Sequence, residues 1–178
     1  AGPVAAQPAE ATAAAGADAP KITQTPAPTE PLICEVFDPD FPQADCSYHG
    51  AYAADTNTVY CTFSAHSIGV WTRLYRLDVP KKDLEMFFTP KGITPDAADY
   101  VAQGKVHSPL GAYKGELYFA THSGHYKTRH ELPDGKTVNP YRGGYVYAVD
   151  MKTGKGRIVA APLHNRPVTV PLDKGVPM

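Results

Sequence analysis

Val106-His107-Ser108-Pro109-Leu110, Glu116-Leu117-Tyr118-Phe119-Ala120-Thr121 and Tyr145-Val146-Tyr147-Ala148-Val149-Asp150 are three apolar, β-branched and aromatic runs, and Lys152-Thr153-Gly154-Lys155 follows the last of them. Such runs suit pleated strands, and the Gly, Pro, Asp and Lys residues around them suit turns. An earlier stretch can be laid beneath this one. Val59-Tyr60-Cys61-Thr62-Phe63 aligns with Leu117 to Thr121, and Leu74-Tyr75-Arg76-Leu77-Asp78 aligns with Val146 to Asp150. The chain therefore holds two copies of one strand-rich unit. His49, His107 and His164 recur near the start of each copy and of a partial third, 58 and 57 residues apart.

Working outward, each copy reads as strand, turn, strand, loop, strand, turn, strand, which is an antiparallel four-stranded meander. The first copy spans residues 46–90, with strands expected over Ser47 to Ala53, Thr58 to Ser64, Ile68 to Asp78 and Leu84 to Thr89. The second spans 104–162 and carries a longer polar loop, Gly124 to Asn139, in which Leu132-Pro133-Asp134-Gly135-Lys136 is a strong turn signal. Between them, Thr94-Pro95-Asp96-Ala97-Ala98-Asp99 reads as a short helix with Thr94 as N-cap and Pro95 at its first position. The third unit, 163–178, is broken by Pro167, Pro171 and Pro177. Residues 46–178 are thus expected to form an all-β domain.

Ahead of it, Ala1 to Pro31 holds 11 alanines, 6 prolines and no aromatic residue, so neither a helix nor a strand pattern is sustained. This is an extended arm, and about 31 extended residues reach on the order of 100 Å. Because position 1 is Ala rather than Met, a signal peptide is expected to have been removed ahead of it, placing the chain in the periplasm or on an extracellular face. Residues 32–45 read as a docking loop, since Asp38-Pro39 and Phe41-Pro42 favour turns and extended backbone.

At 178 residues with 43% hydrophobic residues, the chain can supply one real core. A net charge of -1 gives no basic field, so nucleic acid is not an expected partner. No apolar run approaches the length of a spanning helix. The aromatic set of 11 Tyr, 6 Phe and 1 Trp favours strands and interfaces. Cys34 and Cys46 flank the Pro/Asp-rich loop and are expected to form a disulfide, with Cys61 a buried free thiol; the alternative is that all three are reduced and simply packed. The spacing supports neither a covalent haem site nor a paired Cys-x-x-Cys zinc knuckle.

The copies resemble blades of bacterial extracytoplasmic β-propellers. The resemblance rests on the His107-Ser108 start, the Leu117 to His122 strand and the Val146 to Lys155 closure, and it covers about Cys46 to Pro162. It implies blade-like sheets and says nothing about activity. A closed propeller needs at least about four blades. Two blades and a fragment imply either a partial propeller or two sheets packed as a small β-sandwich, and the sandwich is preferred because two such sheets can bury their inner faces on each other.

The sharpest candidate for chemistry is the group His107, His122, His125 and His130, which could hold copper or zinc. The recurrence of His49, His107 and His164 points instead to a repeated structural hydrogen bond. Asp78 and Asp150 occupy the same place in each copy, just ahead of a turn, and are expected to cap it rather than act as an acid-base pair. The sequence has no nucleophile elbow, phosphate loop or dinucleotide fingerprint, so no catalytic residue and no cofactor are assigned. Pro20, Pro26, Pro31, Phe37 and Phe41, with the tyrosines Tyr113, Tyr126 and Tyr141 expected to be exposed, are the candidate partner contacts. The expected function is that of a non-catalytic accessory or scaffold subunit, stabilising a larger, membrane-bound respiratory or photosynthetic protein complex through its arm and β domain. The alternatives are a fragment of a propeller enzyme or metalloprotein using the histidines, and a glycan-binding module.

Overall fold

Thr58–Phe63 alternates half-buried and buried side chains, with Tyr60 and Thr62 turned inward, and forms strand β2. It is flanked by β1 (Ala51–Ala53) on one side and β3 (Arg73–Asp78) on the other, and β3 pairs in turn with β4 (Asp83–Phe88). The order β1-β2-β3-β4 is the expected meander. These details come from a computed structural model that describes residues 31, 34–95, 97–123, 125 and 129–160. Residues 1–30 of the expected arm, with Pro20 and Pro26, Tyr126, and the partial third unit with His164 lie outside the described residues.

The second copy supplies β5 (Lys105–Val106), β6 (Gly111–Tyr113), β7 (Glu116–His122), β10 (Val146–Asp150) and β11 (Gly156–Ala160). Their order is β11-β10-β7-β5, with β6 also paired to β7, so this sheet has five strands rather than four. The extra strand has a local cause. Pro109 carries no N–H to extend a ladder, and the Ser108 hydroxyl substitutes by accepting from the Ala120 N–H at 2.8 Å, which splits the expected strand into β5 and β6. Inside the long loop, β8 (His130–Glu131) and β9 (Thr137–Val138) form a small hairpin around the expected Pro-Asp-Gly turn.

Every strand pairing among the described residues is antiparallel, and the two copies share a register. Thr58 lies opposite Asp78 and Thr62 opposite Leu74; at the aligned positions, Glu116 lies opposite Asp150 and Ala120 opposite Val146. Asp78 and Asp150 both cap their turns as expected. The Asp78 carboxylate accepts from the Lys81 N–H at 3.1 Å, and that of Asp150 from the N–H groups of Lys152 and Thr153 at 3.0 and 2.7 Å.

Two expectations shift. The strand expected from Ile68 begins only at Arg73, because Gly69 sits at φ +81° and the Thr72 N–H and hydroxyl are committed to Gln103 O and Phe63 O at 2.9 and 2.8 Å. The helix expected at Thr94 is replaced by a single 3-10 turn at Pro90–Gly92. Thr94 does not cap a helix, since its hydroxyl donates back to Pro90 O at 2.8 Å and meets the Tyr147 hydroxyl at 2.8 Å. No helix among the described residues is long and apolar enough to cross a membrane.

One buried cluster draws on both sheets: Tyr60, Leu74 and Phe88 from the first, and Val106, Leu117, Phe119, Tyr147 and Val149 from the second. Contact between the sheets is close at Gly156, where a Cβ would fall 2.2 Å from the Phe88 ring. A side chain there would have to displace a buried aromatic, which is why glycine opens β11. The Tyr60 hydroxyl crosses between the sheets to donate to Met151 O at 2.8 Å. A smaller cluster of Val101, Val138 and Tyr141 sits under the β8–β9 hairpin.

Candidate functional site

The segment ahead of β1 and the segment after β2 meet through an isolated antiparallel bridge between Cys46 and Ser64. Ser64 O accepts from the N–H groups of Asp45 and Cys46 at 3.1 and 3.3 Å, and the Ser64 N–H donates to Cys46 O at 2.8 Å. This ladder brings Asp45 and Cys46 beside His66, twenty residues away in sequence. The His66 Nδ1 lies 2.8 Å from Asp45 Oδ1 and 3.7 Å from Cys46 Sγ, while its Nε2 lies 3.2 Å from the Tyr48 hydroxyl. The His66 N–H donates to Asp45 Oδ2 at 3.1 Å, and its carbonyl accepts from His125 Nε2 at 2.6 Å.

Beyond Tyr48 the cluster continues inward. Its ring meets that of His107 edge-on at 4.0 Å, and His107 meets His122 edge-on at 4.2 Å. His122 stands opposite Lys105 in the β5–β7 pair. His107 Nε2 and His122 Nδ1 are buried and have no hydrogen-bond partner. The four histidines named as candidates for a metal site are divided: His107 with His122 inside, and His125 with His130 at 5.4 Å in the loop. The structural hydrogen bond expected of His107 is not made at Nε2, and the ring packs against those of Tyr48 and His122.

Charge follows from these surroundings. Hydrogen bonds from Cys46 and His66 hold the Asp45 carboxyl down at about 2. Burial, reinforced by Asp45, pushes the Cys46 thiol up to about 11. Burial and the neighbouring His122 depress His107 to about 4, and burial also lowers His122. The linkage is then one of acid sensitivity. A histidine whose folded pKa lies below its unfolded value binds more protons when unfolded, so stability falls as pH drops from about 6.5 towards 4. Allowing for the solvent-facing edge of His107, the loss is on the order of 1–2 kcal/mol, a few degrees in Tm. Thermal melts of the native chain and of His107→Gln across that range check this: the variant should flatten the slope, and an unchanged slope would contradict the assignment.

Nucleophilic catalysis does not suit this geometry. A relay needs the carboxylate on one ring nitrogen and the nucleophile on the other. Here Asp45 and Cys46 both face Nδ1, and the raised pKa of Cys46 keeps its sulfur a thiol at neutral pH. What the arrangement offers is three different donor atoms converging on one point, within 4.8 Å of one another.

Asp45, Cys46, Tyr48 and His66 were not legible as a group in the sequence. Cys34, Cys46 and Cys61 are free thiols here, so the bridge expected between Cys34 and Cys46 is not formed; the Cys46 sulfur is directed to His66 instead. Cys61 is only half-buried, and burial raises its thiol to about 11. Among the expected partner contacts, Tyr113 and Pro31 are exposed and Phe37 is half-buried. Phe41 is buried, with the Arg73 guanidinium 3.9 Å over its ring. Tyr141, expected on the surface, is fully buried, because its hydroxyl donates to Gln103 Oε1 at 2.9 Å within the protein. Compared with known proteins, the chain matches no family model, no curated protein and no solved structure.

Proposed function

We propose that this chain is a non-catalytic accessory module on the extracytoplasmic face of a larger, membrane-bound complex, with its β domain docked on partner proteins and residues 1–31 acting as an arm. Within the domain, the two sheets are read as blade-like neighbours packed as a small sandwich or partial propeller. The observation that supports the reading is the state of the outer strands. Among the described residues nothing pairs with the outer edge of β4 or of β11, and both strands turn apolar side chains to solvent, Met86 at 52% and Val159 at 44% exposure. Open edges of this kind are templates for another chain, and proteins that do not use them blunt them.

The test is to purify the full chain from its host together with what it binds. Met86→Lys with Val159→Lys should leave the melting temperature within about 2 °C of the parent, since both side chains are exposed. The same pair of changes should cut recovery of the associated proteins at least tenfold. Recovery at the parental yield would remove the basis for this reading.

A further inference from the structure

We infer that Asp45, Cys46 and His66 form a binding site for one divalent transition ion of the zinc class, held by Asp45 Oδ1, Cys46 Sγ and His66 Nδ1 with a fourth position open to solvent. The site is independent of the docking role above.

The geometry needs little adjustment. In a tetrahedral zinc site with ordinary bond lengths, the sulfur and nitrogen ligands stand about 3.6 Å apart and the nitrogen and oxygen ligands about 3.4 Å. The corresponding separations here are 3.7 and 2.8 Å, so the Asp45 carboxylate has to swing away from His66 by about half an ångström, and all three donor atoms already lie within 4.8 Å of one another. Both carrying segments are fixed by the Cys46–Ser64 bridge, so the ligands are positioned before any ion arrives. Asp45 and His66 are exposed and Cys46 is half-buried, which leaves a route in and room for a water as fourth ligand.

The ring is also held in the way a ligand histidine requires. When Nδ1 takes the metal, the ring proton resides on Nε2, and the Tyr48 oxygen 3.2 Å away is placed to accept it. Loading exchanges the thiol proton, released to solvent, for the ion. Thiolate and carboxylate together then balance its two positive charges.

The donor set selects the ion. A thiolate disfavours magnesium and calcium, and one sulfur mixed with imidazole and carboxylate suits zinc better than the all-soft environments copper(I) prefers. The inner pair His107–His122 is the poorer place for a cation. It offers two imidazoles with no carboxylate or thiolate shown against either ring, whereas the triad itself supplies both, and Lys105 is felt at Cys46 as well as at His107 and His122.

Cobalt(II) is a suitable probe because a Co–thiolate bond gives a near-ultraviolet charge-transfer band and a tetrahedral site gives intense visible bands. The full chain, purified without a polyhistidine tag or chelator, should take up one equivalent of cobalt with both signals and surrender it to zinc. Cys46→Ser should abolish the charge-transfer band and weaken zinc binding about 100-fold or more, and His66→Gln should weaken it comparably. Tyr48→Phe, which touches no metal, should weaken it about 10- to 100-fold. Cys34→Ser and Cys61→Ser should keep the band. Melts recorded without metal show whether each variant folds, and if His66→Gln does not, Cys46→Ser decides alone. Persistence of the band in Cys46→Ser, loss of binding in His122→Gln but not in His66→Gln, no stoichiometric uptake, or a Cys34–Cys46 bridge in the native protein by peptide mass would each overturn the assignment.

Discussion

Tyr147→Ala should destabilise the β domain by about 3–5 kcal/mol, the range for deleting a large buried aromatic. Tyr147 is fully buried on β10, and its ring lies 5.7 Å from Phe119, 6.2 Å from Phe88 and 5.9 Å from Tyr145. It therefore touches aromatic side chains of both sheets, and removing it leaves a cavity that neither sheet can fill without moving the other. For a domain whose whole stability is on the order of 5–15 kcal/mol, that loss leaves little margin at 37 °C. Tyr147→Phe should cost only about 1 kcal/mol, the net value of the hydroxyl contact with Thr94 at 2.8 Å. Chemical denaturation of the two variants separates the terms. If Tyr147→Ala costs no more than Tyr147→Phe, the core shared by the two sheets is not what holds the domain together.

Gln103→Leu is the second large effect, expected at about 3 kcal/mol although the volume is nearly conserved. The Gln103 Oε1 accepts from the Thr121 hydroxyl at 2.7 Å and from the Tyr141 hydroxyl at 2.9 Å, and its Nε2 donates to Gly143 O at 3.1 Å. All of these groups are buried, so leucine withdraws the amide from each at once. Tyr141→Phe in the Gln103→Leu background should recover part of the loss, because the stranded hydroxyl is then gone. Strict additivity of the two changes in denaturant melts would contradict the network.

Much of the fold was legible because it rests on local pattern. The alternation in Thr58–Phe63 and the apolar run in Val146–Asp150 specify strands by themselves, and Asp78 and Asp150 mark their turns by side-chain chemistry that acts within three residues. The departures arise where distant partners intervene. Residues 70–72 read as strand, but Thr72 is held by Gln103, and Pro109 converts one strand into two by withholding an N–H that Ser108 then replaces. Tyr141 read as a surface residue because its burial depends on Gln103, 38 positions away.

Of the histidines now seen in the candidate site, His107, His122 and His125 were singled out in the sequence, whereas His66, the one beside Asp45 and Cys46, was not. His107 and His122 do meet, since β5 and β7 are neighbours, yet His66 belongs to the first copy and reaches Cys46 only through a single backbone bridge. A pairing of that kind leaves no periodic trace. The one available signal was the adjacency of Asp45 and Cys46, two potential ligands side by side, and assigning Cys46 to a disulfide obscured it.

Whether this chain is a partner-dependent β module with open outer strands is decided by hydrogen exchange on the chain alone and on the chain captured with its associated proteins. Outward-facing amides of Asp83–Phe88 and Gly156–Ala160 should exchange freely in the isolated chain and slow at least about 100-fold in the complex, as new ladder bonds form. Exchange at these two strands that is the same with and without partners would contradict it.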